Sequence, residues 1–130
     1  MSSEADAIVS AIIAKWCAGF ARLDAAALSS LYAKNAFFFG SNPRLYRGRE
    51  GVADYFNGLP RWRKPRVGFS EVVAAPVVPD VINMAGIASF DFGEEAAPLS
   101  VKITWVIVRE DSDWKIASHH VSSKTPLIEQ

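Results

Sequence analysis

The chain has 130 residues, half of them hydrophobic and 12% aromatic, and its 14 basic and 14 acidic side chains balance to a formal net charge of zero. That length buries one core and not two, so a single domain over residues 1–130 is expected, and the charge balance excludes a domain built to track a phosphate backbone, hence no nucleic-acid partner. One cysteine, Cys17, excludes an internal disulfide framework and fits a reducing, cytoplasmic setting.

The elements follow in chain order. Ser3 with Asp6 resembles a capping box, Asp standing for the usual Glu. Ile8, Ile12, Trp16 and Phe20 then recur at helical spacing, joined by Val9, Ile13 and Cys17, which predicts an amphipathic first helix. Its apolar stretch Ala7–Ala14 is preceded by Glu4 and Asp6 and broken by Lys15, against a signal peptide, and is too short to span a bilayer. No membrane partner is expected. Asp24 is an N-cap for a short second helix, Ala25 to about Tyr32, and Asn35–Phe39 reads as a buried strand ended by Gly40-Ser41-Asn42-Pro43. A third helix carries Val52, Tyr55, Phe56 and Leu59 and stops at Pro60. Four strands follow, roughly Val67–Val78, Val81–Phe92, Leu99–Arg109 and Trp114–Val121, the last two joined by the acidic turn Glu110-Asp111-Ser112-Asp113. Helices first and a long antiparallel sheet after is an α+β pattern.

Strand parity sorts the candidates by face. Val101, Ile103, Trp105 and Ile107 share one face of their strand; Lys102, Thr104, Val106 and Val108 share the other. Both faces are apolar at the centre, while the helices cover only one. The simplest cover for the second is another copy of the sheet, so a homodimer is expected. His119 groups with Ala117 and Val121, and His120 with Trp114, Ile116 and Ser118, so without a bulge the two histidines cannot share a metal. No metal and no cofactor are expected.

His119 is the leading candidate for an acid/base group; the plainer reading is a core histidine bonded to a backbone carbonyl. Asp91, in an apolar strand, is the second, as a base of raised pKa if it borders a cavity; the plainer reading is a solvated strand end. Trp16, Phe20, Tyr55 and Trp105 are candidate cavity walls, with Tyr32 and Tyr46 behind them; the plainer reading is core. Arg61-Trp62-Arg63-Lys64-Pro65-Arg66, the one basic cluster, reads as a solvated loop near a pocket mouth.

The hairpin Val101–Pro126, together with Leu31–Phe37, Tyr46-Arg47-Gly48-Arg49 and Tyr55-Phe56, resembles the nuclear-transport-factor-like superfamily, also called SnoaL-like or cystatin-like. Within it, SgcJ/EcaC-type proteins and the association domain of calcium/calmodulin-dependent kinase II are the nearest in look. The resemblance implies a cone of about three helices on a curved, mainly antiparallel sheet. It implies that Trp105 and His119 face the concave pocket with Ser89 and Val121, and that Thr104, Val106, Val108 and His120 lie on the dimer side. Ser89, Trp105 and Val121 stand where the kinase domain has pocket arginines, which implies a pocket that does not prefer carboxylates. The function so implied is binding of a small, largely apolar metabolite, with cofactor-free isomerase, cyclase or hydratase chemistry as its catalytic form. The alternative is a non-catalytic assembly module, since the superfamily holds both.

Overall fold

The computed structural model describes residues 3–129. Helix α1, Glu4–Ala21, starts at a reciprocal capping box: the Ser3 hydroxyl accepts from the Asp6 N–H at 3.1 Å, and the Asp6 carboxylate accepts from the Ser3 N–H at 3.2 Å. Its buried stripe runs through Val9, Ile12, Trp16 and Phe20. The Asp24 side chain caps α2, Ala25–Ser29, by accepting from the Ala27 N–H at 3.0 Å. This helix is shorter than its sequence suggested. The hydroxyls of Ser29 and Ser30 donate back to the carbonyls of Ala26 (3.2 Å) and Ala27 (2.7 Å), a local alternative to further helix. Strand β1, Tyr32–Phe39, therefore begins earlier than Asn35.

Strand β2, Leu45–Arg47, was not anticipated; three residues are too few to show alternation. Helix α3, Gly48–Asn57, opens on a glycine with φ +70°, where a side chain would be strained. Then come β3 (Arg66–Val78), β4 (Val81–Asp91), β5 (Leu99–Glu110) and β6 (Asp113–Ser123). Asp111 and Ser112 both take positive φ (53° and 66°), the conformation that matches a two-residue hairpin turn to strand twist. The six strands form one sheet in the order β2-β1-β6-β5-β4-β3. Among the described strands only β1 and β6 run parallel. Helices on one face of a curved, mostly antiparallel sheet make this an α+β fold.

Two irregularities shape the sheet. In β3 the register slips between Ser70 and Val73, with Glu71 at φ 53°. The bulged backbone there crowds Gly86 on β4, where a Cβ would lie 3.1 Å from Val72 Cγ2 and 3.2 Å from the Ser70 carbonyl oxygen, so the bend needs a glycine partner. In β6 the register slips at Ala117: Ile107 pairs with Ile116, but Val106 pairs with Ser118. The extra residue turns Ile116 inward with His119. Unbroken alternation had grouped Ile116 with His120, and the bulge corrects it.

Val101, Ile103, Trp105 and Ile107 are buried beneath the helices. On the opposite, convex face, Thr104 and His120 are exposed and Val106 and Val108 half-buried. No described helix is long and apolar enough to cross a membrane.

Candidate functional site

Helices α1 and α3 and the concave side of the sheet enclose a cavity of about 560 Å³. Its walls are aromatic: Trp16 and Phe20 from α1, Phe38 from β1, Tyr55 and Phe56 from α3, and Phe90 and Phe92 at the end of β4. Trp62, in the loop after α3, stacks on Phe92 with ring centroids 4.2 Å apart and closes one side of the mouth. Ser41, Ser122 and Ser123 make the mouth polar. Gly40 lies there because the Tyr55 ring packs against its backbone; a Cβ would sit 2.5 Å from that ring. The Tyr55 hydroxyl is held by Ser41, accepting from its N–H at 3.0 Å and meeting its hydroxyl at 2.8 Å.

At the base lies His119, 3% exposed, stacked on Phe38 with ring centroids 4.0 Å apart. Two groups converge on its Nδ1: the Trp105 indole N–H at 3.0 Å and the Tyr32 hydroxyl at 2.8 Å. The Tyr32 hydroxyl in turn accepts from the Trp16 indole N–H at 2.9 Å. An indole N–H only donates. Nδ1 must therefore accept, and Tyr32, having accepted from Trp16, donates to it. The proton of the neutral ring then sits on Nε2, a tautomer assigned by the network of donors. With this assignment every buried polar side-chain atom has a partner or reaches open space, as the described residues require. Nε2 has no hydrogen-bond partner among them and opens on the cavity.

The same geometry opposes an imidazolium, whose Nδ1–H would point at the Trp105 N–H. Burial, with a smaller contribution from the charge of His120, pushes the pKa of His119 down to about 3. Burial also pushes the Tyr32 hydroxyl far up, so it stays a neutral donor. The Tyr32 backbone is fixed from outside: Arg49 Nε donates to its carbonyl at 2.8 Å while Arg49 Nη2 pairs with Glu110 at 2.8 Å.

Trp16, Phe20, Tyr55, His119 and Val121 line the cavity; the other residues expected there do not. Trp105 faces inward but is sealed at the narrow end between Phe69 and His119, so it supports the site instead of lining it. Ser89 is exposed on the convex side, its hydroxyl 2.8 Å from that of Ser100. Asp91 shares that parity. It pairs with Arg66 at 2.8 Å and accepts from the Gly93 N–H at 2.9 Å, and the Gly93 bond and then Arg66 hold its carboxyl below the usual range. The expected base of raised pKa is thus a solvated anion outside the cavity. His119 is likewise no titrating acid/base near neutral pH, because its basic nitrogen is already occupied.

The sequence reading missed Phe38, Trp62, Phe90 and Phe92 as walls. The last two were legible by parity, being opposite to Ser89. Tyr32 was considered as a wall and serves as the link between α1 and His119. The basic loop puts only Trp62 in the cavity; Arg61 donates to the Leu23 carbonyl at 3.2 Å and the Arg63 N–H to Glu95 at 2.9 Å. Among the described residues, no group of three His, Cys, Asp or Glu is placed to hold a metal ion.

The curved sheet, the helical roof and the cavity between them define a cone-shaped pocket domain, and residues 9–126 match the model of the SnoaL-like domain. The chain belongs to the SnoaL-like family. No curated protein matches it significantly. Solved structures share the fold. A candidate calcium/calmodulin-dependent protein kinase II association domain from Xanthomonas campestris superposes with a TM-score of 0.84 at 22% identity, covering 98% of this chain and 91% of that one. A candidate scytalone dehydratase from Novosphingobium aromaticivorans gives 0.80 at 12% identity over 92% and 83%. An NTF2-like protein of unknown function from Pseudomonas putida gives 0.83 at 14% identity over 98% and 92%. The fold therefore serves dehydratase-like and association-domain-like proteins alike, and identities this low carry the fold alone.

Proposed function

We propose that this protein binds a small, flat, largely apolar molecule in the cavity. The observation that carries the reading is the convergence of aromatic walls on one polar atom, His119 Nε2, at the base of an open, 560 Å³ space. Apolar walls with a single orienting group are the usual make-up of a small-molecule site. Any turnover there would be cofactor-free isomerisation, cyclisation or hydration, with the protein polarising the ligand. Among the described residues the lining carries no carboxylate, lysine, arginine or cysteine to act as a general base, which favours binding over proton abstraction.

The same reading takes the convex face as a contact with a second copy. Phe37, Val73 and Val78 are 50%, 66% and 53% exposed there, and their strand partners put them on one side with Val106 and Val108. The rival, a pure assembly module, uses this face and leaves the cone idle.

Saturation-transfer NMR with 2-ethylnaphthalene separates the two. Saturable binding that is lost in Val121→Trp, which fills the cavity from its wall, supports the pocket. Absence of saturable binding to the wild type favours the assembly module.

A further inference from the structure

We propose that loop 58–65, which follows α3, is the gate of the cavity: Trp62 is its leaf, Glu95 its latch, and a ligand passes when Trp62 swings off Phe92. This deepens the pocket reading and rests on it. Of the aromatic walls, Trp16, Phe20, Tyr55 and Phe56 ride on helices, and Phe38 and Phe90 on strands. Trp62 instead sits in a segment without regular structure. Two prolines frame that segment, and their rings fix φ at each end. Pro65 is fully buried and anchors the segment to the core, whereas Pro60, Arg61, Arg63 and Lys64 are exposed. The leaf can therefore turn on a fixed hinge without dragging the core with it.

Three contacts hold the leaf shut. Trp62 stacks on Phe92, with ring centroids 4.2 Å apart and planes inclined by 28°, and leans on Phe20 at 6.3 Å. On one side of it the Arg61 guanidinium donates to the Leu23 carbonyl, just past the end of α1, at 3.2 Å. On the other side the Arg63 N–H donates to the Glu95 carboxylate at 2.9 Å. Both hydrogen bonds are exposed, so water takes over each group on release and opening leaves neither of them an orphan. Glu95 lies in loop 92–98, between β4 and β5, where Gly93 takes φ +69° and a Cβ on it would meet nothing within 4 Å. The latch thus ties one loop to another, while Phe92, on which the leaf closes, is buried. The basic run around Trp62 finds its use here, as the arginines on either side of the leaf.

The gate is tested first without a ligand. The four tryptophans are labelled as 5-fluorotryptophan, and the ¹⁹F resonance of Trp62 is assigned by its loss in Trp62→Phe. Relaxation dispersion should show exchange at that resonance on the μs–ms scale of loop gating. Glu95→Ala removes the acceptor and should raise the open population about fivefold, the worth of one net hydrogen bond. The Trp105 resonance, from the sealed narrow end, should show no such exchange. A Trp62 resonance free of exchange in both wild type and Glu95→Ala would overturn the gate and leave the pocket standing.

The second arm reads ligand passage. Line shapes of the Val121 methyl resonances during titration with 2-ethylnaphthalene give the association and dissociation rates. Losing the latch favours the open form equally with the ligand inside or outside, so in Glu95→Ala both rates should rise together, about fivefold. Trp62→Ala removes leaf and wall at once, so dissociation should rise more than association. Unchanged rates in Glu95→Ala, or a rise in dissociation alone, would make Trp62 a fixed wall and overturn the gate. Absence of binding by the wild type would sink the pocket reading and the gate's role together.

Discussion

Trp105 and His119 are direct partners across β5 and β6, and the indole N–H of the first donates to Nδ1 of the second at 3.0 Å. The pair spends the basic nitrogen of the histidine inside the protein. Its first consequence is a stability that depends on pH. Unfolded, His119 takes up a proton near its ordinary 6.5; folded, it does so only near 3. Its contribution is fully present above pH 6.5 and is lost as the pH falls, by about 1.4 kcal/mol per unit. Asp91 and Asp113, with carboxyls held low by hydrogen bonds, add acid sensitivity only near the carboxylate range, so pH 6 to 5 isolates the histidine. Urea midpoints over that interval should fall in the wild type and stay nearly flat in His119→Phe. A wild-type midpoint independent of pH there would refute the buried neutral ring.

Tyr32→Phe removes the hydroxyl that joins Trp16 to His119. It leaves the Trp16 N–H, sealed in the core, without an acceptor. The expected loss is about 1–3 kcal/mol, the cost of an orphaned buried donor. Denaturant titration against the wild type measures it, and a neutral result would mean that water replaces the hydroxyl.

Gly40→Ala places a methyl where the Tyr55 ring now lies, within 2.5–2.7 Å of two ring atoms and of Phe38 Cε1. The ring must swing away, which costs about 1–3 kcal/mol. It also disturbs the Ser41 end of the cavity mouth. Affinity for 2-ethylnaphthalene should drop severalfold while far-UV circular dichroism stays unchanged. Unchanged affinity would show that the ligand does not pass or touch Tyr55.

Substituting Val106 and Val108 together by Lys puts two charges on the convex face. If that face meets a second copy, they are buried there without partners and the dimer should dissociate. Light scattering of wild type and double variant decides it. A monomeric wild type, or a double variant that stays dimeric, would remove the interface from this face.

The fold was legible because its cues are local. Capping residues, helical spacing and the acidic turn set most boundaries to within one or two residues. Alternation grouped Val101, Ile103, Trp105 and Ile107 on one face of β5, and the resemblance made that face the concave one, where all four are buried. Alternation failed in β6 because a single extra residue, Ala117, is invisible to a period of two, and Ile116 changed sides. Ser89 and Asp91 were misplaced for another reason. Their parity was right, but the side was taken from a resemblance, whereas Phe90 and Phe92 are the bulkier apolar pair and turn inward. Tyr32 is separated from its bonded partners Trp16 and His119 by 16 and 87 residues, and no spacing rule joins such distant groups.

The uncharged lining has a kinetic and ionic meaning. With no fixed charge among the described residues of the walls, capture depends on collision and on transfer from water to an apolar surface. Affinity for a neutral ligand should be indifferent to dilute salt, which screens only charges, and should rise in sulfate, which drives apolar groups out of water.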